Sequence, residues 1–319
     1  MTGRCSFRLV QISRLVRLLM MCGAAGLCGA IGLCGVPGRC EAAGLVGPPL
    51  TAPLPVTQDE AARMTIPVMV NGQGPFAFVV DTGADRTVIS SALAAALKLP
   101  AGRRVRLHDV GGSAEVQTVV LDSLAFGGRA TYGVEAPVLE AADLGAPGML
   151  GIDSLRGQQV TMDFRAGTFA AGPSRTEADT LPGAIIVIGR RRYGQLVLVD
   201  AEANGVPVFV ILDTGAQNTL GNAALQRLLT AARDKTRPPD ADVISVTGTH
   251  SPARVNEIEE MRLGGILVRH LPIAYADLET FRQFGLTERP AMLLGMDVLH
   301  MFRSVSVDFL RREAAFVPR

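Results

Sequence analysis

The sequence predicts an all-β chain with minor short helices, built as two tandem copies of one half. Two observations carry this. Four short motifs recur in the same order in both halves of the chain. The segments around them read as strands and tight turns, with helical patterns confined to short stretches.

The first copy opens on Ile66-Pro67-Val68-Met69-Val70-Asn71-Gly72, then Phe76-Ala77-Phe78-Val79-Val80, then Asp81-Thr82-Gly83-Ala84. The second has Leu196-Val197-Leu198-Val199, then Asn204-Gly205, Val208-Phe209-Val210-Ile211-Leu212 and Asp213-Thr214-Gly215-Ala216. Each reads as strand, Asn-Gly turn, strand, since β-branched runs flank the residue pair best suited to a hairpin. Farther on, Met149-Leu150-Gly151-Ile152-Asp153 matches Leu293-Leu294-Gly295-Met296-Asp297, and Val160-Thr161-Met162-Asp163-Phe164 matches Val305-Ser306-Val307-Asp308-Phe309. Even the closing prolines agree: Pro173 stands ten residues after Asp163, and Pro318 ten after Asp308. A short helix is expected after each Asp-Thr-Gly-Ala, over Ser91–Leu99 and Asn222–Ala232, each opened by a capping-type residue.

The copies run over 64–173 and 190–319, with a polar, Pro-flanked linker at 174–189. Stretched from Pro173 to Ile185, the linker reaches roughly 40 Å at ~3.3 Å per residue, ample for the copies to pair within one chain, so a monomer is expected. Ahead of the first copy, 43–63 reads as a Pro/Gly/Ala-rich extended spacer. The first 42 residues read as a secretory signal peptide. Arg4, Arg8, Arg14 and Arg17 precede an uncharged run from Leu18 to Val36, and Cys40-Glu41-Ala42-Ala43 offers a cleavage site after Ala42. The alternative is an uncleaved anchor in an inner membrane. In the first case the protein is exported, periplasmic or secreted, and its mature part makes no membrane contact. All five cysteines (Cys5, Cys22, Cys28, Cys34 and Cys40) lie in this stretch. Cleavage would therefore leave a chain held by core packing with no disulfide.

Composition restricts the rest. In 319 residues, 48% hydrophobic and 19% charged content is that of a globular protein, and a formal charge of +1 gives no reason to expect a nucleic-acid partner. His108, His250, His270 and His300 show no metal-ligand spacing and no GxSxG occurs, so neither a metal nor a cofactor is expected. Arg190-Arg191-Arg192 reads as a solvated loop.

Asp-Thr-Gly at a strand end, twice, has a chemical logic. Hydrolysing an amide with water needs one group to take a proton from the water and another to give a proton to the carbonyl oxygen or leaving nitrogen. Two close carboxyls sharing one proton do both, because like-charge repulsion keeps one protonated while the other is ionised. Gly83 and Gly215 let the two loops approach, and the Thr82 and Thr214 hydroxyls can brace them across the interface. One copy supplies only one carboxylate, which is why a repeat or a dimer is required. Taken singly, each motif would also fit an ordinary tight turn.

On these motifs the chain resembles the aspartic peptidases, closest to the retropepsin-like half-domain, in a bacterial exported form fused in tandem so that one chain recreates a pepsin-like bilobal arrangement. The resemblance covers residues 64 to 319. It implies an acid-protease fold of two β-barrel lobes related by a pseudo-two-fold, and an endopeptidase acting on a peptide or protein substrate. It makes Asp81 and Asp213 the catalytic pair, with Thr82, Gly83, Ala84, Thr214, Gly215 and Ala216 as the supporting loops. Gly151 and Gly295 are expected in strands behind those loops, and Asp153 and Asp297 as helix caps. A catalytically inactive peptide-binding protein of the same fold is the alternative. Flap candidates are Gly111 and Gly112 in the first copy and Gly248 in the second. Asp81 to Gly111 is 30 residues and Asp213 to Gly248 is 35, so unequal flaps are expected. Ala84 and Ala216 bring no hydroxyl to the carboxylates, which predicts a less acidic working range than a pepsin comparison implies.

Overall fold

Alternation decides the first strand of each lobe. Along Met64–Val70 the side chains of Met64, Ile66, Val68 and Val70 are buried, the period-two signature of a strand with one face on a core. The Asn71-Gly72 and Asn204-Gly205 turns that follow take φ of 50° and 73°, and 47° and 79°, which is the two-residue hairpin geometry their sequences call for. A computed structural model of the chain describes residues 53–59, 62–155, 157–174, 183–192, 195–198, 201–231 and 241–319, with the pair Val10–Gln11. Apart from that pair, the leader and the first part of the spacer lie outside the described residues, as do 175–182 of the linker and Ala232.

The first lobe is a closed barrel. Met64–Val70 pairs antiparallel with Gln73–Val80, which runs parallel to Gly148–Leu150. Gly148–Leu150 is antiparallel to Val88–Ser90, and Val88–Ser90 parallel to Arg129–Leu139. Arg129–Leu139 forms a hairpin with Gly112–Phe126, which returns to the first strand through Met69↔Ala125 and Val70↔Leu124. The second lobe repeats the ring. Phe209–Leu212 runs parallel to Ala291–Leu294, then come Leu220–Gly221, Ile266–Ala276 and His250–Leu263. His250–Leu263 reaches Ala201–Ala203, which stands just beyond the Gln195–Leu198 strand that pairs with Phe209–Leu212.

A third, antiparallel sheet joins the lobes at their base. Its order is Leu54–Pro55, Thr168–Pro173, Gln158–Asp163, Ser304–Asp308, Glu313–Val317 and Ile185–Arg192. Each lobe gives three of these strands. At the centre, Thr161 opposes Ser306 and their hydroxyls lie 2.9 Å apart, on the axis relating the halves. Val160, Met162, Val305, Val307 and Phe316 are buried beneath, in a core cluster continuous through both lobes. The lobes therefore pair in cis through this base.

Strand pairing reaches into two stretches read from sequence as connections. Leu54–Pro55 and Thr57–Gln58 pair within the expected spacer, and Ile185–Arg192 begins inside the expected linker. Leu54–Pro55 and Ile185–Ile188 are equivalent edges of the base sheet, while Thr57–Gln58 pairs with Met64–Val70. Strands of two residues carry no periodicity that would announce them. Pairing of the same linker strand's far end with Gln195–Leu198 makes Arg190-Arg191-Arg192 part of a strand, not a loop. The helices are shorter than expected, Ser91–Ala96 and Ala223–Leu229. The first is capped by Ser90, one residue earlier than read, and the second by Asn222, whose side chain accepts from the Leu225 N–H at 2.8 Å.

Candidate active site

Two strands aim the site. Gln73–Val80 and Phe209–Leu212 are buried at their ends and stop where Asp81 and Asp213 begin. The aspartates' own amides continue the parallel ladder, Asp81 N–H to Leu150 O at 3.0 Å and Asp213 N–H to Leu294 O at 3.1 Å. One step farther the neighbouring chain crosses the loop: the Ile152 N–H donates to Ala84 O and the Met296 N–H to Ala216 O, each at 2.9 Å. Gly151 and Gly295 sit at that crossing. They stand just after their strands, not within them as the sequence suggested, and Gly295 caps the helix Met296–Leu299. A Cβ on Gly295 would lie 2.6 Å from Asn218 O and 3.0 Å from Ala216 O, and one on Gly151 would meet the Arg86 and Ala84 backbone in the same way. No side chain fits there.

Asp153 and Asp297 do not cap helices. Asp153 accepts from the Thr87 N–H at 2.9 Å and the Thr87 hydroxyl at 2.8 Å. Asp297 does the same for Thr219, at 2.9 and 2.8 Å. Both threonine hydroxyls then accept from the amides of Gly151 and Gly295, at 3.2 and 3.3 Å. Each carboxylate thus ties the far end of its Asp-Thr-Gly loop to the crossing chain. The sequence carried a signal for this that went unused: both loops read Asp-Thr-Gly-Ala-x-x-Thr, ending on Thr87 and Thr219.

The loops meet through their threonines. The Thr82 hydroxyl donates to Leu212 O at 3.0 Å and accepts from the Thr214 N–H at 3.2 Å. The Thr214 hydroxyl donates to Val80 O at 2.7 Å and accepts from the Thr82 N–H at 3.0 Å. Both side chains are buried, and each hydroxyl is satisfied by the opposite loop. This brace brings the carboxyls together. A Cβ on Gly83 would lie 2.7 Å from Asp213 Oδ1, and one on Gly215 would strike the Asp81 carboxyl. Each glycine is therefore the floor under the other lobe's aspartate.

Asp81 and Asp213 are each 8% exposed. Burial pushes the Asp81 carboxyl up to about 8; the neighbouring Asp213 charge adds to this, while the Gly83 N–H opposes it. Burial also raises Asp213, against the Gly215 and Ala216 N–H groups and a hydrogen bond from Asp81. Those amides donate to Asp213 Oδ1 at 3.0 and 3.2 Å, and the Gly83 N–H donates to Asp81 Oδ1 at 2.7 Å. A buried carboxyl pair in contact holds a proton that bulk solvent would remove, and it titrates as one unit. Burial is the largest cause, so the alanines are not the main reason for the upward shift.

Each lobe also extends a hairpin toward the other. The first, Ala101–Asp109 with Gly112–Phe126, turns at Val110-Gly111; the second, Ala241–Ile244 with His250–Leu263, turns over residues 245–249. Gly111 and Gly112 therefore lie at one tip and Gly248 at the other. The tips cross. Val110 packs with Ile211, Leu220, Leu278 and Phe281 of the second lobe, where its carbonyl accepts from the Glu279 N–H at 2.9 Å. Val246 packs with Val79, Val88, Leu139, Leu144 and Met149 of the first lobe. The Thr247 hydroxyl donates to Asp109 Oδ2 at 2.6 Å and links the two tips. His108 and His250 lie on these hairpins; His250 Nδ1 contacts Asp242 Oδ2 at 3.3 Å.

A sequence model of the family described as Aspartyl protease matches residues 66–154 and again 199–298, one match in each lobe and together more than half of the chain. No curated protein matches the chain.

Proposed function

The chain belongs to the aspartyl protease family, as a retropepsin-like member with two tandem halves, and from this we propose that it is an endopeptidase whose catalytic pair is Asp81 and Asp213. The observation that carries the reading is the Gly83/Gly215 exchange, in which each loop's glycine lies directly against the other loop's carboxyl. Such a pair, sharing one proton, is a general acid and a general base at one point in space.

In the proposed reaction, Asp213 is the ionised member and Asp81 carries the proton, in keeping with the burial and the neighbouring Asp213 charge that push Asp81 up to about 8. A water between them gives a proton to Asp213 as its oxygen bonds to the scissile carbonyl carbon. Asp81 protonates the carbonyl oxygen, which forms a neutral tetrahedral diol. Proton return from Asp213 to the amide nitrogen and loss of a diol proton to Asp81 break the C–N bond, release acid and amine, and restore the pair. The flaps supply the apolar cover that strengthens these proton transfers by excluding bulk water. Thr82 and Thr214 hold the carboxyls in register and need not touch the substrate. The reading includes export by the N-terminal leader, as a location where the enzyme meets protein or peptide substrates. Among the described residues no helix is long and apolar enough to cross a membrane.

The test is cleavage of a denatured protein mixture by the purified chain from acid to neutral pH. Asp81→Asn and Asp213→Asn should each lower the rate by at least about 10³-fold, because either change removes the acid/base partnership. A variant that keeps full activity would remove the shared pair from the mechanism. An unmodified chain that binds peptides without cleaving them would favour a binding protein.

A further inference from the structure

The first lobe carries a buried cation where the second has an apolar residue. Arg63 stands eight residues before Asn71, and the residue eight before Asn204 is Leu196. Arg63 is buried. Its Nη2 lies 2.6 Å from Asp59 Oδ2, its Nε donates to the same oxygen at 2.7 Å, and its backbone N–H donates to Asp59 Oδ1 at 2.8 Å. Nη2 also donates to Leu144 O at 2.7 Å. That carbonyl ends the short helix Ala141–Leu144, and Gly145 after it takes φ of 69° close against the guanidinium. Leu144 is fully buried and belongs to the wall on which Val246 of the second flap rests. On the same helix, the Asp143 carboxylate lies beside Gly248, within 2.8 Å of where a Cβ would stand.

We propose that Asp59 and Arg63 are positioning residues for the peptidase site: they fix the Ala141–Leu144 helix as the seat of the second flap and put a permanent cation behind the wall of Leu144, Val79 and Ala84 that leads to Asp81. The charge of Arg63 pulls downward on both Asp81 and Asp213, against the larger upward effect of burial. The charged groups this cation acts on are Asp59, in contact with it, and Asp81 and Asp213, while Asp143 stands on the helix that it holds. A stretch that reads as a spacer before the first lobe is in this way part of the active-site machinery. The inference rests on the peptidase reading above for its activity readout, and it has a second readout that does not.

Arg63→Lys keeps the charge but cannot make the forked contact to Asp59 and Leu144 O together. It should lower kcat/KM on the order of tenfold, through a displaced flap seat, and leave the pH–rate profile in place. The double variant Asp59→Asn/Arg63→Met removes both charges, so no lone buried ion is left to unfold the chain. Loss of the cation raises the apparent pKa values of the pair, so its profile should move toward higher pH. Unmoved kcat/KM in the first variant together with an unmoved profile in the second would overturn the proposal. Clipping of the second flap by an added protease reads the seat without turnover and should quicken in both variants. If the unmodified chain proves inert, quickened clipping sustains the positioning role while the peptidase reading fails; unchanged clipping ends both parts.

Discussion

The first flap closes on a two-residue tip, Val110-Gly111, whereas the second spreads its tip over residues 245–249 between Ile244 and His250. Their chemistry is nevertheless the same. Asp109 Oδ1 accepts from the Gly111 and Gly112 amides, each at 2.9 Å, and Ser245 Oγ accepts from the Thr247 and Thr249 amides, at 3.3 and 3.1 Å. Each capping residue is followed by a valine that crosses to the opposite lobe. Loop length differs, and the longer tip reaches Asp143 and Asp109 of the first lobe, while loop chemistry is kept where the tips meet. Below the flaps little latitude remains: the threonine brace is reciprocal, each hydroxyl bonding a carbonyl and an amide of the other half, because each loop is the other's packing surface. The carboxyls themselves differ, with one amide on Asp81 Oδ1 and two on Asp213 Oδ1.

The sharpest way to break this comparison is at the glycines. Gly83→Ala and Gly215→Ala each push a methyl into the opposite carboxyl, and a displacement of about 1 Å there should cost on the order of 10²-fold in kcat. Turnover measured on both variants should fall equally; a large inequality would mean that the two loops are not equivalent. Next comes the brace. Thr82→Ala strands Leu212 O and the Thr214 N–H, and Thr214→Ala strands the mirror pair, so each should lose about 2–4 kcal/mol in urea unfolding. Val110→Ala and Val246→Ala remove less, about 1 kcal/mol of flap closure each, visible as a raised KM at nearly constant kcat. Equal effects would show that the longer tip of the second flap adds nothing to its grip.

The smallest expected change is a shift in pH dependence. A serine at 84 or 216 can donate to the ionised carboxylate beside it, which favours the charged form and lowers the apparent pKa of the pair. The double variant's pH–rate profile should therefore move toward acid, opposite in sign to the shift expected on losing Arg63. A profile that stays in place would mean that the serines turn away from the carboxyls.

Much of this was legible without coordinates. The duplication exposed both barrels, since a strand's period and an Asn-Gly turn are local properties that survive in the text of the chain. It also exposed the carboxyl pair, because a half-site repeated twice needs its partner. Tips at Gly111, Gly112 and Gly248 could be read from turn chemistry for the same reason. What sequence could not decide was who meets whom. Asp153 and Asp297 looked like caps because they open helix-like stretches, but across the fold each also takes both donors of a threonine from the Asp-Thr-Gly loop. Leu54–Pro55 and Ile185–Arg192 looked like connections because an edge strand of the base sheet is defined by its neighbour's hydrogen bonds and not by its own pattern. Arg63 carried no motif at all. Sequence by itself determined the two halves and the paired Asp-Thr-Gly loops; only tertiary structure decided the crossing of the flaps and the cation behind the Leu144 wall, because those are contacts between segments whose own residues have no local reason to meet.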